Sequence, residues 1–127
     1  MVDQNIVSDL NKQADAANLV GMLEQIAQQF KGKAVFTTSF GIEDQVITDM
    51  IFSNDLDIKV VTLDTGRLFE ETYKVFNRTV DRYGKMIHVY FPKHESVEKM
   101  VTEKGPLSFY LSVSYTHLAG DSQMTLP

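Results

Sequence analysis

The chain has 127 residues, 43% of them hydrophobic, which suits one globular domain and leaves no room for a second domain of full size. Its formal net charge of -5, without a cluster of Lys or Arg, argues against a duplex nucleic-acid partner held through its phosphates. The sequence has no signal-peptide pattern and no apolar run near the roughly 18 residues of a membrane-spanning helix, so we expect a cytoplasmic protein.

The first half of the chain alternates helical and extended patterns. The segment up to Ala17 is expected to form one or two helices. A further helix ending near Gly32 is predicted by apolar residues at helical spacing, namely Leu19, Leu23, Ile26 and Phe30. Residues 34–38 are typical of a strand. Another helix is predicted from a second apolar set, which consists of Ile42, Val46, Ile47, Met50 and Ile51.

The second half continues the alternation. Residues 58–63 form a β-branched, nearly continuous apolar run, as expected of an inner parallel strand. A helix closed by Gly84 is predicted by the stripe Phe69, Tyr73, Phe76, Val80 and Tyr83. Residues 86–91 indicate a third strand, and Ser96 is placed to cap a short helix that runs to Lys104.

The order strand, helix, strand, helix, strand favours parallel pairing. With right-handed crossovers it predicts a three-layer α/β fold with a mostly parallel sheet. A parallel sheet that stops after three strands leaves open edges, so we also expect the chain to self-associate.

The loop after the first predicted strand is a candidate anion-binding site. Thr38, Ser39, Phe40 and Gly41 lead into a helix, and a helix N-terminus presents about four unpaired N–H groups and roughly half a positive charge. Ser39 could instead be an ordinary helix N-cap or part of an ST-turn, with no ligand. The next two acidic residues, Glu43 and Asp44, belong to the candidate substrate-binding set, although they could simply complement the helix dipole.

A second candidate turn follows the second predicted strand. It comprises Leu63, Asp64, Thr65, Gly66 and Arg67. Asp64 could be a turn former or a ligand contact, and Arg67 could pair with a nearby Glu or reach a phosphate. Ligands of open parallel sheets bind outside the carboxyl ends of the strands, so if the two strands are neighbours the two turns suggest a nucleotide site.

Metal and thiol chemistry have little support in this sequence. It contains no cysteine, and its three histidines, His88, His94 and His117, are far apart. We therefore predict no metal site and no cofactor in this chain.

Four stretches resemble the adenylylsulfate and phosphoadenylylsulfate reductases of sulfate assimilation: TTSFGIEDQ, TLDTGRLFEETY, VYFPKHESVEKMVTEKG and SFY, between Ala34 and Tyr110. The resemblance implies an adenine nucleotide alpha hydrolase-like fold, related to PP-loop enzymes. Phe40 stands where the PP-loop has a glycine, and with Glu43 and Asp44 it favours a sulfate or phosphosulfate group over a triphosphate. The LDTGRL motif and the SFY segment favour the branch of the family that uses adenylylsulfate.

In that family a cysteine thiolate attacks the sulfate sulfur, and thioredoxin or glutaredoxin then releases sulfite, a step toward cysteine biosynthesis. The adenylylsulfate branch also carries a four-iron four-sulfur cluster on paired cysteines. This chain has neither element, so the resemblance implies an oxidoreductase family but an inactive chain.

From residue 111 the sequence departs from the family pattern, and its VSYTHL string resembles translated adapter sequence. We therefore expect an incomplete nucleotide-binding domain over residues 1–110 and a foreign tail over residues 111–127. The interpretation is an N-terminal fragment of an adenylylsulfate reductase. The alternatives are a phosphoadenylylsulfate reductase fragment, a non-catalytic adenosine-nucleotide-binding module, and an ATP-using PP-loop enzyme, against which Phe40 argues.

Overall fold

A computed structural model of the protein describes residues 3–108. The contacts divide the chain into two units, Met1–Tyr90 and Phe91–Pro127. The first unit contains, in chain order, α1 (Gln4–Gln13), α2 (Leu19–Gln29), β1 (Val35–Thr37), α3 (Ile42–Ser53), β2 (Lys59–Leu63), α4 (Glu70–Tyr83) and β3 (His88–Tyr90). The second unit contains α5 (His94–Lys104). Most of the SFY segment and the tail 111–127 lie outside the described residues.

The three strands form one parallel sheet in the order β1-β2-β3. Phe36 pairs with Val60, and Thr62 pairs with Val89. β2 is central, and its three middle residues are buried, as the continuous β-branched run predicts. The predicted α/β fold with parallel pairing is confirmed.

Both crossover helices lie on one face of this sheet. The strand order advances in one direction, and right-handed crossovers then place α3 and α4 on the same side. A single hydrophobic core agrees with this placement; its buried members are Ala27, Phe40, Ile51, Phe52, Ile58, Val60 and Ile87. The opposite face of the sheet is different, since Val35 and Leu63 are 54% and 66% exposed there.

Some helix ends follow the capping chemistry of the sequence and others do not. Asn18 caps α2 by accepting the Gly21 N–H at 3.0 Å, and α4 ends at Gly84, whose φ of 60° is left-handed. The predicted cap of α5 is wrong: Lys93 is the N-cap, so Ser96 lies inside the first turn. The extended backbone that an N-cap requires occurs at Lys93, with φ -60° and ψ 127°.

Among residues 3–108, no helix is both long enough and apolar enough to cross a membrane.

Candidate nucleotide-binding site

The pairing of β1 with β2 brings the two candidate turns to the same edge of the sheet. The Thr38 N–H donates to the Val61 carbonyl at 2.9 Å, which continues the β1–β2 ladder to the start of the first loop. The Asp64 N–H donates to the Tyr90 carbonyl at 2.9 Å and ties the second turn to β3. The two turns therefore leave from adjacent strands at their carboxyl ends, where ligands of open parallel sheets bind.

The first loop, residues 38–41, is held by the side chains of Thr38 within it and of Asp44 on α3. Asp44 Oδ2 accepts hydrogen bonds from both the Ser39 N–H, at 2.7 Å, and the Ser39 hydroxyl, at 2.8 Å. The Phe40 N–H donates to the Thr38 hydroxyl oxygen at 3.0 Å. The amides of Ser39 and Phe40 are thus engaged within the protein, and Asp44 does more than complement a dipole because it closes the loop.

The side chain of Phe40 points into the core. Phe40 is 8% exposed, and its ring stacks on Phe76 with centroids 5.0 Å apart. The Phe40 ring therefore packs within the core. Its backbone has φ 66°, a left-handed conformation that glycine favours, so the loop adopts a glycine-like path with a core anchor attached.

The first turn of α3, which follows the loop, has backbone amides without a partner inside the helix. Gly41 is the N-cap and supplies no side-chain hydrogen bond to the helix, so the alternative in which Ser39 is the N-cap is wrong. Glu43 is exposed beside these amides. Because the Ser39 and Phe40 amides are already bonded, an anion at this edge would meet the amides that start α3.

The second turn, residues 63–67, is organised around the buried Asp64. Asp64 Oδ1 accepts from the Gly66 N–H at 2.7 Å and from the Tyr73 hydroxyl at 2.8 Å, and the residue is only 8% exposed. Gly66 has φ 77°, which the turn requires and which a side chain would strain. Asp64 is therefore a turn former, and it also lies at the carboxyl end of the central strand.

The remaining members of the second turn are more open. Leu63 and Thr65 are exposed, and the Thr65 hydroxyl accepts the Arg67 N–H at 3.3 Å. Arg67 is half-buried and takes part in a further interaction. All of the predicted candidates in this turn thus occur on one short segment beside β2.

Tyr73 also belongs to this region, although its helical spacing predicts only a position in the core stripe of α4. Its hydroxyl bonds Asp64, and that carboxylate raises the Tyr73 pKa above its ordinary value of 10.0. The signal was available in principle, because Tyr carries a polar tip and occurs in the first turns of the helix that follows the Asp64 turn.

Metal-binding clusters are absent from residues 3–108, where no three His, Cys, Asp or Glu side chains are grouped for an ion. His88 lies in β3 and His94 starts α5, whereas His117 lies outside the described residues. A four-iron four-sulfur cluster requires cysteine thiolates, and the 127 residues contain none, so this chain does not fit that group.

Comparison with known proteins identifies a family. The model of the phosphoadenosine phosphosulfate reductase domain matches residues 33–120, which extends past Tyr110, where the resemblance was expected to end. Proteins named adenosine 5'-phosphosulfate reductase are similar to this chain. A relative from Sinorhizobium fredii strain NGR234 is 45% identical over 85% of this chain and 43% of its own length.

The relatives from Rhizobium meliloti and Agrobacterium fabrum carry the same name. They are 46% and 38% identical, over 84% and 95% of this chain and over 40% and 50% of their own lengths. The chain thus spans about half the length, or less, of these relatives. Since the family model covers more than half of the chain, the chain belongs to the phosphoadenosine phosphosulfate reductase domain family.

Proposed function

We propose that this chain is the nucleotide-binding, N-terminal part of an assimilatory adenylylsulfate reductase. The observation that carries the proposal is the meeting of two polar turns at the carboxyl ends of the paired strands β1 and β2. The family membership and the names of the relatives support the same substrate class. The proposed ligand is an adenine nucleotide with a sulfated phosphate.

The two turns bind opposite ends of the proposed ligand. The amides at the start of α3 take the phosphosulfate end, because a helix N-terminus favours anions and Gly41 leaves it without a side-chain cap. The turn around Asp64 takes the nucleoside end, since a carboxylate accepts hydrogen bonds from ribose hydroxyls. Thr65 and Arg67 flank that end of the ligand.

Reduction itself lies outside the chemistry of this chain. In the proposed reaction a thiolate attacks the sulfate sulfur and AMP leaves, after which an external thiol releases sulfite. None of the 127 residues is a cysteine, so the attacking group is missing and the chain by itself is expected to be inactive. In the longer protein, we propose, the cysteine, any iron–sulfur cluster and the contact with thioredoxin or glutaredoxin come from residues outside this chain.

Calorimetric titration with AMP, adenylylsulfate and phosphoadenylylsulfate tests the proposal. We expect adenylylsulfate to bind in the micromolar range, more tightly than AMP, because the sulfate adds an anionic group at α3. Tighter binding of phosphoadenylylsulfate would move the assignment to that branch of the family. Absence of binding by all three would refute the proposed function.

A variant at Gly41 tests whether the anion binds at the start of α3. Gly41 has an ordinary φ of -67°, and an added Cβ would meet nothing closer than 3.9 Å. In Gly41→Asp the new carboxylate caps the helix, so the melting temperature should rise while adenylylsulfate binding falls at least tenfold. Gly41→Ala is the matched control, with no added charge. If Gly41→Asp binds adenylylsulfate as tightly as wild type, the sulfate group does not bind at the start of α3.

Two activity assays complete the test. With adenylylsulfate, thioredoxin and a reductant, this chain should release no sulfite above background. With ATP and Mg²⁺ it should release no pyrophosphate, and turnover in that assay would favour the PP-loop ATP-using alternative.

A further inference from the structure

We propose that Tyr73 is a positioning residue of this site: its hydroxyl holds the Asp64 carboxylate, and through it the second turn, in the orientation that receives the nucleoside. The inference rests on the proposed function for its ligand. It adds a residue of α4 to a site that the sequence places on the two turns and the start of α3.

Asp64 is fixed by three different elements. Its N–H donates to the Tyr90 carbonyl on β3, at 2.9 Å. Its Oδ1 accepts the Gly66 N–H at 2.7 Å within the turn, and the Tyr73 hydroxyl at 2.8 Å from α4. Both side-chain bonds end on the same oxygen, so together they hold Oδ1 between the turn and α4. Tyr73 supplies the only one of these three bonds that comes from a helix.

The burial of Asp64 makes the hydrogen bond from the Tyr73 hydroxyl important for holding the carboxylate. Asp64 is 8% exposed, and a buried carboxylate is costly unless donors surround it. Without the Tyr73 hydroxyl, Oδ1 keeps only the Gly66 N–H, a bond within the same short turn, which cannot tie the turn to α4. The Asp64 carboxylate would then be free to rotate toward solvent, away from a bound ribose.

The protonation state of Tyr73 is compatible with its role as a hydrogen-bond donor to Asp64. The hydrogen bond to Asp64 is the largest cause of the raised Tyr73 pKa, and the charge of Asp64 adds to it, whereas the Leu68 backbone opposes it. Tyr73 therefore remains a neutral O–H donor throughout the neutral pH range.

The same helix supplies a matched control. Tyr83 also lies on α4, and its hydroxyl also donates to a carboxylate, that of Asp49, at 2.6 Å. Asp49 belongs to α3, near its carboxyl end, and has no part in either candidate turn. The two tyrosines thus make the same kind of bond, one at the site and one away from it.

The experiment compares Tyr73→Phe with Tyr83→Phe. Each variant loses one hydroxyl, so both melting temperatures should fall modestly. Only Tyr73→Phe should weaken AMP binding, by about tenfold, and speed hydrogen exchange at the Gly66 amide. Equal AMP affinity in Tyr73→Phe and wild type, or an equal loss in both variants, would overturn the inference.

A double-mutant cycle then asks whether Tyr73 acts through Asp64. In an Asp64→Ala background, which leaves no acceptor for the Tyr73 hydroxyl, Tyr73→Phe should add little further loss of AMP affinity, whereas additive losses would contradict the mechanism. If neither AMP, adenylylsulfate nor phosphoadenylylsulfate binds the wild-type chain, the proposed function fails. The positioning of the turn is then decided by Gly66 exchange alone, which should rise in Tyr73→Phe and not in Tyr83→Phe.

Discussion

Phe40, in the first loop, and Phe76, on α4, stack their rings with centroids 5.0 Å apart and planes inclined by 27°. The contact anchors the loop to the core at the residue whose backbone adopts φ 66°. A left-handed conformation costs a residue with a side chain about 1–2 kcal/mol, so the burial of the ring offsets the strain of the loop.

Replacing Phe40 separates those two effects. Phe40→Ala should destabilise the fold by about 3 kcal/mol or more, because it empties the core beside Phe76 and keeps the strained backbone. Phe40→Gly loses the same ring but relieves the backbone, so it should be less destabilising than Phe40→Ala by up to about 1 kcal/mol. Urea unfolding measures both. A Phe40→Gly variant less stable than Phe40→Ala would show that the backbone conformation is not strained.

The buried Thr38 hydroxyl should matter for stability. It accepts the Phe40 N–H at 3.0 Å, and Thr38 is 5% exposed. Thr38→Val keeps the shape but leaves that amide without its acceptor, which should cost about 1–3 kcal/mol in the free energy of unfolding. Thr38→Ser retains the hydroxyl and is the control. If both variants unfold at the same urea concentration, the hydrogen bond contributes nothing.

Removing the charge of Asp44 should affect stability and anion binding in opposite directions. Asp44→Asn keeps an oxygen for the Ser39 N–H but loses the carboxylate at the start of α3, which should lower stability by about 1 kcal/mol. One negative charge fewer near the α3 amides should tighten sulfate binding about threefold. Glu43→Gln removes an exposed neighbouring charge without touching Ser39, and it shows how much of the change is charge alone. Weaker sulfate binding in Asp44→Asn would instead make Asp44 a support for the anion site.

The carboxylate of Asp49 should make the fold sensitive to acid. Hydrogen bonds from Tyr83, chiefly, and from Ser53 lower the Asp49 pKa below its ordinary 3.8, against a smaller opposing effect of burial. A depressed folded-state pKa contributes stability above the unfolded-state value, and this contribution is lost as the pH falls through the folded-state pKa. Melting temperatures between about pH 5 and about pH 2 should therefore fall more steeply in wild type than in Asp49→Asn. Parallel curves would contradict the assignment.

Gly84 should be required for its conformation alone. It ends α4 with φ 60°, and an added Cβ would meet nothing within 4 Å. Gly84→Ala should cost about 1 kcal/mol of stability, and Gly84→Asn less, because Asn tolerates the left-handed conformation better. The difference in thermal melting between these two variants is the measurement; a neutral Gly84→Ala would mean that α4 ends differently in solution.

Much of the fold follows from local patterns. The β-branched run of β2 and the apolar stripe of α4 predict those elements within a residue or two, because periodicity reports which face is buried. The cap of α5 was misplaced because Lys93, which has no capping side-chain bond, occupies the N-cap through its backbone conformation. The extended backbone of an N-cap such as Lys93 is hard to predict from residue type alone.

The sequence by itself determined the strand and helix order, the two candidate turns and the absence of a thiol nucleophile, since all of these depend on residue type and short-range spacing. The tertiary structure decided what each side chain in the site contacts. Phe40 faces Phe76, Asp44 closes onto Ser39, and Tyr73 reaches Asp64 across the turn. The physical reason is that an aromatic or carboxylate side chain suits the core, a loop or a ligand equally well, and only the packing of α3 and α4 beside the sheet selects among them.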